Sequence, residues 1–267
     1  MATTITVLSQ KGGTGKTTTV RTLTDAYRRA GLDVLCVDLD PQGNLSDYFD
    51  VPADASPTVA DVLAGQARAA DGVYEDVLPA NLGLAEAELI LAGKMGRELT
   101  LKRALREVKS RYDLVIVDCP PALGLLTVNA LVAADHALIS SEAEYFSLQG
   151  VEQALEVVEL AKESLHPDLD WLGVVLNIAD MRLVHAREAL RSLKERFGDK
   201  VFDTVIRRSV RYAESAERGV SILDFAPDLG ADYLELAAEV LGRLGDFEET
   251  RQRLSASASS STIASSS

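Results

Sequence analysis

The stretch Ser9-Gln10-Lys11-Gly12-Gly13-Thr14-Gly15-Lys16-Thr17-Thr18-Thr19 decides the fold of this chain. It follows an apolar, strand-like run at residues 5–8 and opens a helical pattern that continues to about residue 30. A glycine-rich loop between a strand and a helix curls so that its backbone N–H groups converge on phosphate oxygens, and the helix N-terminus favours negative charge. This order of elements predicts a site for a nucleoside triphosphate.

Two side chains of this loop supply what a triphosphate needs. Lys16 is placed to reach the outer phosphates, and Thr17 is placed to ligate magnesium. Gln10 stands where the strict P-loop pattern has glycine, and an extra lysine, Lys11, lies inside the loop. The predicted nucleotide-binding residues are Lys11, Gly12, Gly13, Thr14, Gly15, Lys16, Thr17 and Thr18.

Short apolar runs alternate with longer helical patterns along the rest of the chain. Strands are predicted at residues 5–8, 34–37, 114–117, 137–139 and 172–176. Helices are predicted near residues 17–30, 86–110, 125–134, 147–165, 184–197 and 230–246, and residues 50–85 are expected to form an irregular edge. Apolar strands separated by helices favour a parallel sheet that is covered on both sides. The predicted fold class is α/β, with a mainly parallel sheet and helices on both faces.

Length and composition suggest one large domain in the cytoplasm. The 267 residues divide into a predicted single domain at 1–250 and a Ser/Ala-rich stretch at 251–267 that we predict to be a disordered tail. No uninterrupted apolar run approaches 18 residues, so no membrane span is expected. The first strand begins too early to leave room for a signal peptide, which favours a cytoplasmic location.

Aspartates close two of the predicted strands. Residues 38–44 read Asp-Leu-Asp-Pro-Gln-Gly-Asn, and residues 118–121 read Asp-Cys-Pro-Pro. Ligands of open parallel sheets bind outside the carboxyl ends of the strands, and an aspartate there commonly holds Mg²⁺ through water beside a P-loop threonine. A single such aspartate is more often a turn or cap residue, but two of them with a P-loop favour a functional site.

These motifs resemble those of the ParA/Soj-type partition ATPases, P-loop NTPases with a deviant Walker A loop in the ParA/MinD superfamily. Residues 11–18, 38–44 and 117–121 are similar to the Walker A, switch I and Walker B elements of that family. The similarity continues at residues 144–150 and 206–211 and spans residues 3 to about 245. Two positions depart from the family pattern, because Ser140 and Arg207 stand where prolines are usual.

The resemblance implies a role for each residue of the site. Lys16 would bind the β- and γ-phosphates of ATP, Thr17 would ligate Mg²⁺, and Asp118 would lie in the outer shell of the metal through water. Asp40 would orient the attacking water, and Lys11 would reach the nucleotide of a partner subunit in an ATP-dependent homodimer. A lysine supplied in trans suits phosphoryl transfer, which needs positive charge on the transferring group. The catalytic residues implied are Lys11, Lys16 and Asp40.

The distribution of charge along the chain bears on whether the protein binds nucleic acid. The net charge is −14, yet residues 182–218 contain 10 basic and 6 acidic residues. Arg187, Arg191 and Lys194 share one face of the predicted helix. Segregated basic residues suit non-specific DNA binding, whereas salt bridges to Glu188 and Glu195 would make the same face an ordinary solvated surface. The predicted DNA-binding residues are Arg182, Arg187, Arg191, Arg207, Arg208 and Arg211.

The leading hypothesis from the sequence is therefore an ATP-dependent DNA partition protein with weak intrinsic turnover. Its implied partners are a second copy of the chain, non-specific DNA of the nucleoid and a ParB-like protein that stimulates hydrolysis. A MinD-like membrane-cycling ATPase, or another cargo-positioning ATPase, is the nearest alternative, but it would need a basic, amphipathic C-terminal helix. A reductase of the nitrogenase iron-protein type would need cluster cysteines, and Cys36 and Cys119 lie at the wrong elements. A regulator that binds ATP without turnover is a further alternative.

Overall fold

The computed structural model describes residues 2–144 and 146–264 of the chain. The strands of this part of the chain are β1 (Thr3–Leu8), β2 (Val34–Asp38), β3 (Val77–Leu78), β4 (Leu114–Asp118), β5 (His136–Glu142), β6 (Asp170–Ala179) and β7 (Val201–Arg207). They form one sheet in the order β3-β2-β4-β1-β5-β6-β7, and every neighbouring pair is parallel. The central strands are buried on both faces, which is why they are continuous apolar runs in the sequence.

Helices connect these strands on both sides of the sheet. They are α1 (Lys16–Arg29), α2 (Asn44–Tyr48), α3 (Val59–Ala64), α4 (Gly83–Ala92), α5 (Thr100–Leu105), α6 (Leu125–Ala133), α7 (Ser147–Ser164), α8 (Val184–Phe197), α9 (Arg211–Glu217), α10 (Ile222–Phe225), α11 (Pro227–Leu244) and α12 (Glu248–Ala264). Single turns of 3₁₀-helix lie at Ala69–Asp71, Arg97–Leu99, Lys109–Arg111 and Gly198–Lys200.

Each face of the sheet has its own hydrophobic core. On one face, α1 and α11 bury Leu23 and Leu236. On the other, α6, α7 and α8 bury Leu131, Val158 and Leu193. The predicted α/β class, with a parallel sheet between two layers of helices, is confirmed.

The predicted helix at residues 86–110 is wrong as a single element. The chain instead forms α4, the 3₁₀ turn at Arg97–Leu99, α5 and a further 3₁₀ turn at Lys109–Arg111. Gly93 caps the end of α4, and Gly96 adopts a positive φ of 67°. Two glycines within four positions interrupt the helix although the apolar periodicity continues on either side.

The sheet also contains two edge strands that the sequence pattern did not predict. β3 is two residues long and lies within the region predicted to be an irregular edge, which also contains α3. β7 has buried, half-buried and exposed residues, as expected for a strand at the edge of a sheet. Neither strand has the long, continuous apolar run by which the central strands are identified.

The predicted disordered tail is also wrong for residues 251–264, because they belong to α12. Leu254 and Ala258 lie about one turn apart and are both buried, Leu254 in the core that α1 and α11 share. Ser257, Ser259 and Ser260 donate hydrogen bonds to carbonyls four residues earlier. Packing of this narrow apolar stripe stabilises a helix that serine-rich composition alone would not predict. Residues 265–267 lie outside the described part of the chain.

Within the described part of the chain, we find no helix with the length and apolar content needed to span a bilayer.

Candidate functional site

The P-loop lies between β1 and α1, at the carboxyl edge of the central strand. Gly13 and Gly15 adopt positive φ angles of 79° and 84°, and Gly15 is the N-cap of α1. Residues with a Cβ are sterically disfavoured in this conformation, so glycine is required where the loop curls. The loop therefore has the backbone geometry that the sequence predicts for a phosphate cradle.

Lys16 is the buried cation of this loop, with 6% of its surface exposed. Its Nζ donates hydrogen bonds to Ser9 Oγ at 2.9 Å and to the Lys11 carbonyl oxygen at 2.9 Å. Burial lowers the pKa of Lys16, while the field of Asp118 opposes that shift. Phosphate oxygens can replace the two neutral acceptors and supply the opposite charge that this buried ammonium lacks.

Thr17 and Asp118 meet at the predicted metal position. Thr17 Oγ1 donates a hydrogen bond to Asp118 Oδ2 at 2.6 Å, although the two residues are far apart in sequence. Asp118 is completely buried, and its Oδ1 atom has no hydrogen-bond partner in the described structure. Burial, reinforced by the nearby carboxylate of Asp38, raises the pKa of Asp118 well above its ordinary value. An unpaired carboxylate oxygen beside a hydroxyl is the arrangement that a hydrated divalent cation satisfies.

Asp38 is a second buried carboxylate, and it fixes the start of the switch segment at residues 38–44. The parallel register places Asp38 directly beside Asp118 on neighbouring strands. Its oxygens accept hydrogen bonds from the backbone N–H groups of Asp40 and Ser46, each at 3.0 Å, and from Ser46 Oγ at 2.8 Å. Burial raises the pKa of Asp38 to about 6. We infer that Asp38 anchors the segment that carries Asp40, a role that the sequence pattern did not assign.

The two residues expected to act on the γ-phosphate point in different directions. Asp40 lines the same cavity as Lys16 and Thr17, and its Oδ1 accepts a hydrogen bond from the backbone N–H of Gln42. Lys11 is exposed and does not line that cavity, and its Nζ lies 5.9 Å from the centre of the Phe146 ring. Asp40 is therefore positioned within its own site, whereas Lys11 faces outward.

A cavity of about 550 Å³ joins the P-loop to the end of the sheet. The predicted nucleotide-binding residues that line it are Gly12, Gly13, Gly15, Lys16, Thr17 and Thr18, whereas Lys11 and Thr14 do not. Its far wall carries the apolar and aromatic residues Ile178, Ile206, Tyr212 and Tyr233, beside Arg207 and Arg208. A polar end beside an apolar wall is the usual composition of a nucleotide pocket.

Among the lining residues that were not predicted from the sequence, Asn177 and Arg21 are the two with buried amide or charged side chains. Asn177 lies near the carboxyl end of β6, where the strand-end rule that identified Asp38 and Asp118 would also have found it. Arg21 lies one turn after Thr17 on α1, is 5% exposed and has no carboxylate within 4 Å among the described residues. The sequence carried no signal for Arg21, because basic residues are common on exposed helix faces.

Arg21 connects three helices around this cavity. One Nη2 hydrogen bond goes to the carbonyl oxygen of Tyr212 in α9 at 2.6 Å. The guanidinium lies 4.7 Å from the ring centre of Tyr48 in α2, and the Tyr48 hydroxyl donates to Asp25. Burial lowers the pKa of Arg21. This side chain therefore links the helix after the P-loop to the helix that follows the switch segment.

The predicted DNA-binding arginines lie at three places in the structure. Arg207 and Arg208 line the nucleotide cavity, and Arg207 Nε also lies 2.8 Å from Asp232 Oδ2. Arg182, Arg187 and Arg191 lie outside the cavity, just before α8 and along it. Arg211 begins α9, and its Nη1 lies 3.7 Å from Asp228 Oδ1.

Several of these arginines already have partners. Arg182 makes a two-point contact with Asp180, and Arg191 Nε lies 3.5 Å from Glu195 Oε1. Arg187 donates to the carbonyl oxygens of Met181 and Arg182, and no carboxylate of the described residues lies within 4 Å of it. The basic segment is thus only partly neutralised by neighbouring acidic residues.

Comparison with known proteins identifies the family. A family model described as an AAA domain matches residues 2–171. The chain is 42% identical over 245 residues to the sporulation initiation inhibitor protein Soj of Bacillus subtilis, covering 88% of this chain and 97% of Soj. It is 37% identical over 251 residues to the chromosome partitioning protein ParA of Caulobacter vibrioides, covering 90% and 94%. The chain belongs to the ParA/Soj family of partition ATPases.

Two solved structures similar to this ParA/Soj-family chain contain ATP or an ATP analogue. The cobyrinic acid a,c-diamide synthase of Mycobacterium smegmatis, with a bound ATP analogue and magnesium, has a TM-score of 0.74 and 36% identity over 81% of this chain and 93% of that one. The McdA(D38A)–ATP complex of Cyanothece has a TM-score of 0.83 and 26% identity over 92% and 98%. The protein is an ATP-hydrolysing P-loop enzyme that uses ATP and magnesium.

The residues of the site fit ATP and magnesium. The buried ammonium of Lys16, the curled glycine loop and the apolar wall of the cavity match a triphosphate and its base. The unpaired Oδ1 of Asp118 beside the Thr17 hydroxyl matches hydrated magnesium. Each of these polar groups without a charged partner thus corresponds to a part of Mg-ATP.

Proposed function

We propose that this ParA/Soj-family ATPase segregates DNA as an ATP-dependent sandwich dimer that binds DNA without sequence preference. The observation that carries the proposal is the position of the basic segment, residues 182–218. It runs from the rim of the nucleotide cavity across α8 and α9 in a chain whose net charge is −14. In this proposal the protein acts in the cytoplasm, at the nucleoid, and a ParB-like partner stimulates its slow hydrolysis.

The P-loop side of the site would hold the substrate. Lys16 would leave Ser9 and the Lys11 carbonyl to bind the β- and γ-phosphates, and Thr17 and Asp118 would hold magnesium directly and through water. Magnesium supplies positive charge that stabilises the transferring phosphoryl group. The buried position of Lys16 strengthens its contribution, because charges interact more strongly where water is excluded.

Asp40 and Lys11 would complete hydrolysis from two subunits. Asp40 lies at the cavity, on a segment that Asp38 anchors, and can hold a water in line with the γ-phosphate. Lys11 points away from its own cavity toward Phe146, so it would serve the nucleotide of the facing subunit. A facing pair of P-loops gives this lysine a phosphate to bind, and positive charge there lowers the barrier to phosphoryl transfer.

The DNA surface would be formed by Arg182, Arg187 and Arg191 with support from Arg211. The ion pairs of Arg182 and Arg191 are exposed, and exposed ion pairs stabilise a protein little, so DNA phosphates can replace the carboxylates. Dimerisation doubles the positive charge presented to the duplex, which explains how an acidic protein would require ATP to hold DNA. Arg207 and Arg208 remain predicted DNA-binding residues. Because they line the cavity, they could also contact the nucleotide.

The C-terminal helix favours DNA over a membrane as the surface on which the ATPase acts. Leu254 and Ala258 of α12 are buried inside the protein. At the start of α12, Glu248 and Glu249 pair with Arg251 and Arg253, so that end of the helix carries no net positive charge. A membrane-cycling helix needs an exposed apolar face bordered by basic residues, which the described residues of α12 do not present.

The test is DNA binding by the full chain with ATP and Mg²⁺, compared with ADP, across a range of salt concentrations. We expect binding only with ATP, an affinity that falls steeply with salt, and equal affinity for unrelated duplexes. The variant Arg182→Ala/Arg187→Ala/Arg191→Ala should bind more weakly, and its salt slope should fall by about one for each phosphate that the protein no longer neutralises. Arg106→Ala removes an exposed arginine outside the segment and is the matched control.

The same experiment separates the alternatives. If the triple variant dimerises normally and binds DNA as tightly as the wild type, the basic segment is not the DNA surface. If the wild type binds anionic lipid vesicles with ATP but not DNA, the membrane-cycling alternative replaces the proposal. Variants of Arg207 and Arg208 are unsuitable for this purpose, because a change at the cavity wall would alter ATP binding as well.

A further inference from the structure

Arg21 is a buried cation that the phosphate site does not explain. Among the described residues, the buried lysine and arginine side chains are those of Lys16 and Arg21, and both belong to α1. Lys16 lies at the N-terminus of that helix, where a phosphate can neutralise it. Arg21 lies more than one turn further along, and no carboxylate of the described residues lies within 4 Å of its guanidinium. Because a buried charge without a charged partner is costly, the neutral contacts of Arg21 have to account for it.

These neutral contacts reach two other helices. Arg21 Nη2 donates hydrogen bonds to the carbonyl oxygen of Tyr212 at 2.6 Å and to Ser215 Oγ at 3.3 Å, both in α9. The guanidinium also lies 4.7 Å from the ring centre of Tyr48, the last residue of α2, and such a contact is strong where water is excluded. The Tyr48 hydroxyl donates to Asp25 Oδ2 at 2.6 Å, so α1 holds both the ring and the hydroxyl. Arg21 therefore ties the end of α2 to α1 and α9.

The helix α2 directly continues the switch segment that carries Asp40. Its first residue, Asn44, lines the nucleotide cavity together with Asp40. Ser46 Oγ donates to Asp38 Oδ2 at 2.8 Å and holds the middle of the helix, while the contact of Tyr48 with the guanidinium holds its end. A helix of five residues is too short to be stable by itself, so these tertiary contacts determine where it lies. A shift at its end would move the switch segment as well.

We propose that Arg21 is a positioning residue for ATP hydrolysis, which holds the switch segment in place through the ring of Tyr48. The inference rests on ATP hydrolysis, which family membership gives, and on the proposed role of Asp40, and it is independent of DNA segregation. A misplacement of about 1 Å in a catalytic group can cost a factor of about 100 in rate. Because Arg21 lies on the helix that also carries Lys16 and Thr17, the groups that bind phosphate and the group that orients water share one support.

Two substitutions remove this contact from either side without disrupting the fold. Arg21→Met keeps a long, flexible side chain and removes a buried charge. The Tyr212 carbonyl oxygen keeps a donor in that variant, because Ser215 Oγ also donates to it at 3.0 Å. Tyr48→Leu removes the aromatic face from a half-buried position that does not line the nucleotide cavity. An effect of the second substitution on hydrolysis therefore cannot come from a lost contact with the nucleotide.

The experiment measures kcat and KM for Mg-ATP hydrolysis by the full chain. In Arg21→Met we expect kcat to fall about tenfold with KM changed by less than about twofold, as for the loss of a partly buried cation–π contact that acts on the chemical step. Tyr48→Leu should lose the same factor, and Tyr48→Phe, which keeps the ring, should recover most of it. The double variant Arg21→Met/Tyr48→Leu should be no slower than either single variant, because both substitutions remove one contact.

Hydrogen exchange with mass spectrometry gives a direct readout of the position of the segment. The backbone amides of residues 38–48 should exchange faster in Arg21→Met and in Tyr48→Leu than in the wild type, because the segment opens more often once its end is released. The amides of the P-loop at residues 9–19 should keep their protection. Unchanged exchange at residues 38–48 in both variants would show that the contact does not hold the switch segment, and the proposal would be wrong.

Arg29→Met is the matched control and should leave kcat unchanged. It removes an arginine from the same helix, but Arg29 Nη1 donates to Asp224 Oδ1 of α10 at 2.8 Å and not to α2. If the losses of Arg21→Met and Tyr48→Leu multiply in the double variant, the two side chains act independently and the proposal fails. If Arg21→Met raises KM at an unchanged kcat, Arg21 contacts the nucleotide and does not position the switch segment.

Asp40→Ala separates this proposal from the role on which it rests. A wild-type rate of hydrolysis in Asp40→Ala would contradict the role of Asp40 in orienting water. A slow Asp40→Ala together with a wild-type rate in Arg21→Met would overturn the role of Arg21 alone.

Discussion

At the scale of single residues, the site is built from groups that lack a partner of opposite charge or polarity. Lys16 is a buried ammonium bonded only to neutral oxygens, and Asp118 and Asn177 each have a buried oxygen without a partner among the described residues. Such groups destabilise the free protein, because burial of an unsatisfied polar atom costs about 1–3 kcal/mol. In the proposed Mg-ATP complex, the phosphates and hydrated magnesium would give Lys16 and Asp118 their partners, so part of the binding free energy would come from the destabilised free state.

Lys16 and Lys11 allow a prediction within one loop. Lys16→Ala should weaken ATP binding by roughly two orders of magnitude, since two charge-assisted hydrogen bonds of about 1.5 kcal/mol each are removed. Lys11→Ala removes the same charge but should leave ATP affinity unchanged, because Lys11 faces away from its own cavity. Isothermal titration calorimetry at low protein concentration measures both. Equal weakening in the two variants would contradict the outward assignment of Lys11.

At the scale of elements, the order of the strands in the sheet brings the P-loop and the ends of two other strands together. β1, β2 and β4 lie side by side in the sheet, so the P-loop and two aspartates end at one edge. The C-terminal helix α12 lies on the opposite side of the sheet from α8, on the core formed by α1 and α11. The packing of α12 on this core depends on a small number of buried side chains.

Leu254 tests whether α12 is a stable part of the domain. Leu254 is 3% exposed, so Leu254→Ala should lower the free energy of unfolding by about 2–3 kcal/mol through reduced burial and a cavity. Leu89→Ala is the control, because Leu89 is 77% exposed and its truncation should change stability by less than about 0.5 kcal/mol. Urea unfolding gives both values. A negligible effect at Leu254 would show that this helix does not dock in solution.

At the scale of the whole molecule, two features affect the formation of a dimer. They are Lys11, which faces outward, and the acidic net charge. Self-repulsion between chains with a net charge of −14 opposes a dimer, and ATP shared between facing P-loops would supply the attraction. Asp40 lies in the cavity and is proposed to orient the attacking water. Removing it should slow hydrolysis while leaving nucleotide binding and dimerisation intact.

The expected result for Asp40→Ala is therefore a dimer that persists with ATP and Mg²⁺. Light scattering during size-exclusion chromatography should give twice the mass of 28.7 kDa with ATP and the monomer mass with ADP. Asp47→Ala is a suitable control, since it removes a nearby carboxylate that does not line the nucleotide cavity. A strictly monomeric Asp40→Ala protein in saturating ATP would argue against the sandwich dimer.

The amino-acid sequence by itself determined the features that depend on neighbours along the chain. The glycines of the P-loop, the continuous apolar runs of the central strands and the helical pattern after Lys16 are local, so they predicted the fold class and the phosphate site. Tertiary structure alone decided which distant groups meet. Asp38 lies beside Asp118 through strand register, and Asn177 contacts Thr19 across 158 residues. The division of residues 86–110 and the docking of α12 depend on packing that periodicity and composition do not encode, because burial is a property of the assembled layers.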